Sequence, residues 1–153
     1  MGIKKGQAAL DFLMTYGWAI ALVVIIAAVL FALGIFDVSN FIGNKAAGFS
    51  GVAVQGWRMD TTGLFTLKLA NQVGQQINVT AISVNVGSTT VGMNTTAFTL
   101  APGAASATLT SPVAAFGTQT GNTGYTAKVN INYTDMNTGF AYSTAGTLTG
   151  KVS

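Results

Sequence analysis

A run of 25 residues from Phe12 to Phe36, FLMTYGWAIALVVIIAAVLFALGIF, carries no charged side chain. As a helix rising about 1.5 Å per residue it would be roughly 37 Å long, enough to cross a bilayer core of about 30 Å. Three readings compete for such a run: a membrane anchor, a secretory signal peptide, or the core helix of a soluble domain. A signal peptide needs an apolar stretch of only about 7 to 15 residues. A core helix needs surrounding chain that can cover all its faces, and nothing downstream is built to do that. The length favours the anchor. Lys4 and Lys5 stand just before the run, so its N-terminus is expected in the cytoplasm and the C-terminal part outside. Tyr16 and Trp18, near its start, suit a headgroup boundary.

Gly17, Ala21, Ala28 and Ala32 fall within about 60° of one another at 100° per residue. Small residues on one face let helices approach closely, which makes these four candidates for an assembly face. Gly17 alone would equally serve as a kink point.

The inventory of reactive side chains is poor. The chain has no Cys, no His and no Glu, and its acids are Asp11, Asp37, Asp60 and Asp135. No disulfide framework or thiolate chemistry is available, and most common metal ligands and general bases are missing. Asp135-Met136-Asn137-Thr138-Gly139 opens like a calcium loop but lacks the closing acidic ligand, and reads as a hairpin turn. A structural subunit is expected rather than an enzyme, with no cofactor or metal. The formal charge of +3 depends on Lys4 and Lys5; without them, five basic residues face four acidic ones. That balance leaves no electrostatic footprint for nucleic acid.

After Asp37 the pattern changes. Residues 37–48 are a connector rich in Gly and Asn, and residues 49–153 read as one β domain. Phe65, Leu67 and Leu69 alternate with Thr66 and Lys68; Tyr125, Ala127, Val129, Ile131 and Tyr133 alternate with Thr126, Lys128, Asn130, Asn132 and Thr134. Ile77 and Val79 are out of phase with Ile82, Val84 and Val86, which a bulge near Ala81 would repair. Phe140, Tyr142, Leu148 and Val152 are expected to continue the core-facing pattern. Turns are expected at 71–75, 87–88, 101–103, 121–124 and 135–139, and a long loop at 111–124. Six to eight short strands so spaced predict a long N-terminal α-helix followed by an all-β immunoglobulin-like sandwich.

The N-terminus carries the sharpest motif. In MGIKKGQAALDFLMTYGWAI, two lysines and Gly6 precede an apolar helix with one acid, Asp11, near its start. A cut after Gly6 would leave the helix on the mature chain. The arrangement resembles the class III signal peptide of type IV pilins, and KKGQAALDFLMTYGWAI looks like archaeal adhesion-type pilins. The resemblance is strong over residues 4–36 and continues more weakly through Trp57, LAPG at 100–103 and the closing GTLTGKV. It implies a leader at 1–6 and a helix at 7–36 that serves first as a transmembrane segment and then as filament core. Gly6 and Gln7 would flank the cleaved bond, and Asp11 would fill the place where such pilins carry an acid. The implied partners are further copies of the chain, a prepilin peptidase, an assembly ATPase and a membrane platform protein. The implied role is adhesion by extracellular cell-surface filaments.

Physical chemistry leaves two roles for Asp11. The acid could pair with the new α-amino group at Gln7 of an incoming subunit, since a carboxylate among apolar helices is costly unless paired. It could instead simply charge the start of a helix, where negative charge is favourable. Three sequons, at Asn78, Asn94 and Asn132, are expected N-glycosylation acceptors if the domain is outside. The rival functions are a monomeric, membrane-anchored minor pilin-like binding module, with 111–124 as its binding loop, and a cell-surface hydrolase.

Overall fold

The computed structural model describes residues 3–33, 35, 43–93 and 96–153. They fall into two compact units, divided between Asn40 and Phe41.

The first unit is helix α1, Ile3–Ala32. It begins four residues before the expected start at Gln7 and takes in Lys4, Lys5 and Gly6. Lysine is a good helix former, and one glycine costs about 1 kcal/mol, too little to stop propagation from the apolar run. Beyond Ala32 the Leu33 N–H still donates to Val29 (2.9 Å) and the Ile35 N–H to Leu30 (3.2 Å). The rest of the expected helix, to Phe36, lies outside the described residues.

The second unit is all-β. Among the described residues its strands are β1 Lys45–Ala47, β2 Val52–Met59, β3 Phe65–Asn71, β4 Ile77–Val86, β5 Thr89–Gly92, β6 Phe98–Leu100, β7 Leu109–Thr110, β8 Gly124–Asp135 and β9 Ala141–Lys151. One sheet runs β1-β9-β8-β4-β5, with β6 also on β4; the other runs β2-β3-β7. Every pairing within them is antiparallel. Strand β1 falls inside the stretch expected to be connector. It was illegible because Lys45, Ala46 and Ala47 are all exposed and carry no apolar alternation.

The expected faces are largely realised. Phe65, Leu67, Leu69, Val129 and Ile131 are buried, as are Ile77, Val79, Ile82 and Val84. The phase break on β4 is a bulge: the register with β8 slips between Val79 and Ala81. Apolar side chains from both sheets meet in one core, where the ring of Phe65 on β3 meets that of Tyr125 on β8 edge to face at 6.2 Å. The architecture is thus a long helix followed by a two-layer β-sandwich.

Two residues expected to face the core do not. Phe140 is 65% exposed and Tyr142 46%. Phe140 belongs to the β8–β9 turn, its carbonyl accepting the Asp135 N–H at 2.9 Å. Tyr142 opens β9 opposite Tyr133 and stacks on it at 5.7 Å, leaving its other face open.

Candidate functional site

On α1 the Gly6–Gln7 peptide bond lies near the N-terminal end, with both residues exposed. Gly6 is the fourth residue of the helix, so the bond lies just past the N–H groups that lack intrahelical partners. Helix ends fray, so unwinding this close to the terminus costs less than in the helix interior.

Asp11 is exposed and sits well inside the helix, whose first turn holds no acid. In this form of the chain it cannot complement the helix dipole, an effect confined to the first turn. Removing residues up to Gly6 would bring the helix start to within about one turn of Asp11.

Many of the apolar side chains along the rest of the helix are exposed. Met14 is 83% exposed, Trp18 69% and Phe31 71%. Phe12 and Tyr16 meet at 4.7 Å, and with Ala19, Ile20, Val23 and Val24 they border a shallow apolar groove. Gly17, Ala21, Ala28 and Ala32 lie on a different face, centred roughly 130° away at 100° per residue. A side chain added at Gly17 would meet nothing within 4 Å, so its smallness has no use within this chain.

The structure brings two of the three sequons together. Asn78 on β4 pairs with Thr134 on β8, and Val79 with Tyr133. After the bulge Ala81 pairs with Asn132, whose carbonyl accepts the Thr80 hydroxyl at 3.1 Å. The two tripeptides therefore lie side by side and antiparallel. Val79 and Tyr133 point into the core; Asn78 and Asn132 point to the outer face. Asn94 lies outside the described residues.

The other candidates are occupied by structure. The Asp135 carboxylate accepts the N–H groups of Asn137 (2.8 Å) and Thr138 (3.3 Å), and Gly139 closes the turn at φ 73°; the hairpin reading of 135–139 holds. Among the described residues no group of three or more His, Cys, Asp or Glu side chains could hold a metal ion. The 111–124 loop is pinned: Ser111 bonds the backbone of Phe65, Phe116 packs on Phe65 at 6.3 Å, and Gln119 donates to Thr61 at 2.8 Å.

Sequence reasoning missed Asn71. It is 1% exposed, donates to the carbonyls of Gln75 and Leu100, and accepts the Val73 N–H, fastening the β3–β4 turn to the end of β6. An asparagine at a strand end signals a turn, but nothing local foretells the Leu100 bond. Ser106 was missed likewise; its hydroxyl accepts the Leu69 N–H at 3.0 Å on the side of β3 away from β2, beyond the last β7 pair at Leu67.

Neither a scan of protein-family models nor a search of curated proteins returns a match for this chain.

Proposed function

We propose that this chain is a pilin precursor whose helix serves first as a membrane segment and then as the core of an extracellular adhesive filament. The observation that carries the proposal is the helix from Lys4 to Ala32, long and apolar enough to cross a membrane, with its most apolar stretch unburied among the described residues. That exposed surface requires lipid or other protein around it. The placement of Gly6 before the apolar segment, rather than after it, supports retention of the helix after processing. The resemblance of residues 4–36 to archaeal adhesion-type pilins supplies the rest.

In this reading a peptidase cuts between Gly6 and Gln7 while the N-terminus faces the cytoplasm. The helix then exchanges lipid contacts for helix contacts, so the hydrophobic term changes little and packing and charge pairing decide assembly. Gly17, Ala21, Ala28 and Ala32 let a neighbouring helix approach, and copies related head to tail without closure build an open fibre. The β unit stays outside.

Mass spectrometry of the N-terminus, together with electron microscopy of the cell surface, tests this. Filaments built from a chain beginning at Gln7 are expected. A mature chain lacking the whole apolar run would be an ordinary secreted domain and would overturn the proposal. A chain cut at Gln7 that stays in the membrane without filaments would favour the monomeric binding module.

A further inference from the structure

The side-by-side sequons on β4 and β8 have a consequence for when they can be modified. Asn78 is bonded into the sheet on both sides, opposite Thr134 on β8 and Thr99 on β6. Asn132 is held likewise, opposite Ala81 on β4 and Ser143 on β9. The hydroxyl of Thr80, the third residue of one sequon, is committed to the carbonyl that begins the other. The middle residues, Val79 and Tyr133, are buried, at 0% and 7% exposure.

We infer that Asn78 and Asn132 form a paired glycan site on the outer face of the larger sheet, accessible to a transferase only before β4 and β8 pair. This presupposes the extracellular placement proposed above. In the transfer, the side-chain amide nitrogen of Asn bonds to the anomeric carbon of a lipid-carried glycosyl phosphate. The bond from that carbon to the phosphate oxygen breaks, the phosphate leaves with the electron pair, and the displaced amide proton ends on it. The transferase must reach the amide and hold the hydroxyl two residues on, so it needs a stretch of acceptor backbone free of neighbouring strands. Here both stretches are interior to a sheet. Extracting either one would break its pairing on both sides and pull Val79 or Tyr133 out of the core.

Once the sheet closes, the two modified residues become diagonal cross-strand neighbours, roughly 7–8 Å apart. Sugars attached 54 residues apart in sequence would then stand together. Beside them Ser83, Asn85, Lys128, Val129, Asn130 and Thr147 are among the residues bordering a shallow groove of about 450 Å³.

The test uses full-length unglycosylated chain in detergent, either folded or unfolded in urea and diluted immediately before assay, together with two peptides spanning the sequons. Each is incubated with source-cell membranes containing their transferase and lipid-linked donor, and Asn78 and Asn132 occupancy is read by glycopeptide mass spectrometry. Peptides and unfolded chain should be modified at both sites, and folded chain more slowly by roughly tenfold or more, a ratio set by how rarely the sheet opens. Ile131→Ala, which loosens the fully buried centre of β8, should raise the rate on the folded chain. Equal rates on folded chain and peptides, or an Ile131→Ala rate no higher than that of the unsubstituted chain, would overturn the timing. If the peptides too stay unmodified, the sequons are not acceptors and the paired site is refuted, while filament formation, tested separately by the N-terminus at Gln7, stands or falls by itself.

Discussion

Phe65 on β3 and Tyr125 on β8 meet edge to face across the two sheets, ring centroids 6.2 Å apart. Phe65 is fully buried and also carries Phe116 from the 111–124 loop. Phe65→Ala therefore removes a core ring and the anchor of that loop together. A loss of about 3–5 kcal/mol is expected, measured by urea denaturation of the chain in detergent with a probe on the β unit. A loss under about 1 kcal/mol would mean the sheets do not depend on this contact.

Burial pushes the Tyr125 hydroxyl up to about 12 from its ordinary 10, with the Met59 backbone pulling slightly the other way. The folded chain thus keeps a proton that the unfolded chain loses. Stability from this group is fully present below about pH 10 and falls as pH rises from there to about 12. The fall amounts to at most about 3 kcal/mol, reduced by whatever solvent screening the partly buried hydroxyl keeps. Burial raises Tyr133 too, reinforced by Tyr142 and Asp135, so the two losses overlap. Tyr125→Phe should flatten the alkaline fall in urea midpoint without abolishing it; an unchanged slope would show that Tyr125 titrates normally.

Gly63 closes the β2–β3 turn at φ 77° and faces the Gly117 carbonyl so closely that an added Cβ would collide with backbone. Asp60 shapes the same turn by accepting the Thr62 hydroxyl at 2.6 Å and the Leu64 N–H at 3.0 Å, and these bonds hold its carboxyl below the ordinary range. Gly63→Ala combines the left-handed penalty with displacement of the 111–124 loop. It should cost at least about 2 kcal/mol. Gly87→Ala, also at positive φ but with nothing within 4 Å, should cost about 1 kcal/mol; equal thermal shifts in the two variants would remove the loop contact from the explanation.

Asp11 tests the assembly proposal. If it pairs with the α-amino group of Gln7 in a neighbouring subunit, Asp11→Ala should leave insertion and cleavage intact and sharply reduce filaments per cell. Asp11→Asn should behave like alanine, because an amide cannot neutralise the amine, whereas Asp11→Glu should retain much of the yield. Normal filament numbers in both the alanine and asparagine variants would leave Asp11 as a helix-start residue only.

The uncharged run at 12–36 announced the helix that the structure describes as far as Ala32, because its composition leaves no polar face. Strict alternation on β3 and β8 fixed which residues face the core, and the phase break on β4 announced its bulge, because side-chain period in a strand is a local property. Partner choice is not local. That β8 lies between β4 and β9, that Lys45–Ala47 adds an edge strand, and that Asn71 reaches Leu100 all depend on segments brought together only when the sheets form. So does the adjacency of Asn78 and Asn132: each sequon is legible by itself, but their pairing comes from the antiparallel register of two strands far apart in sequence, which the buried faces of both strands set together.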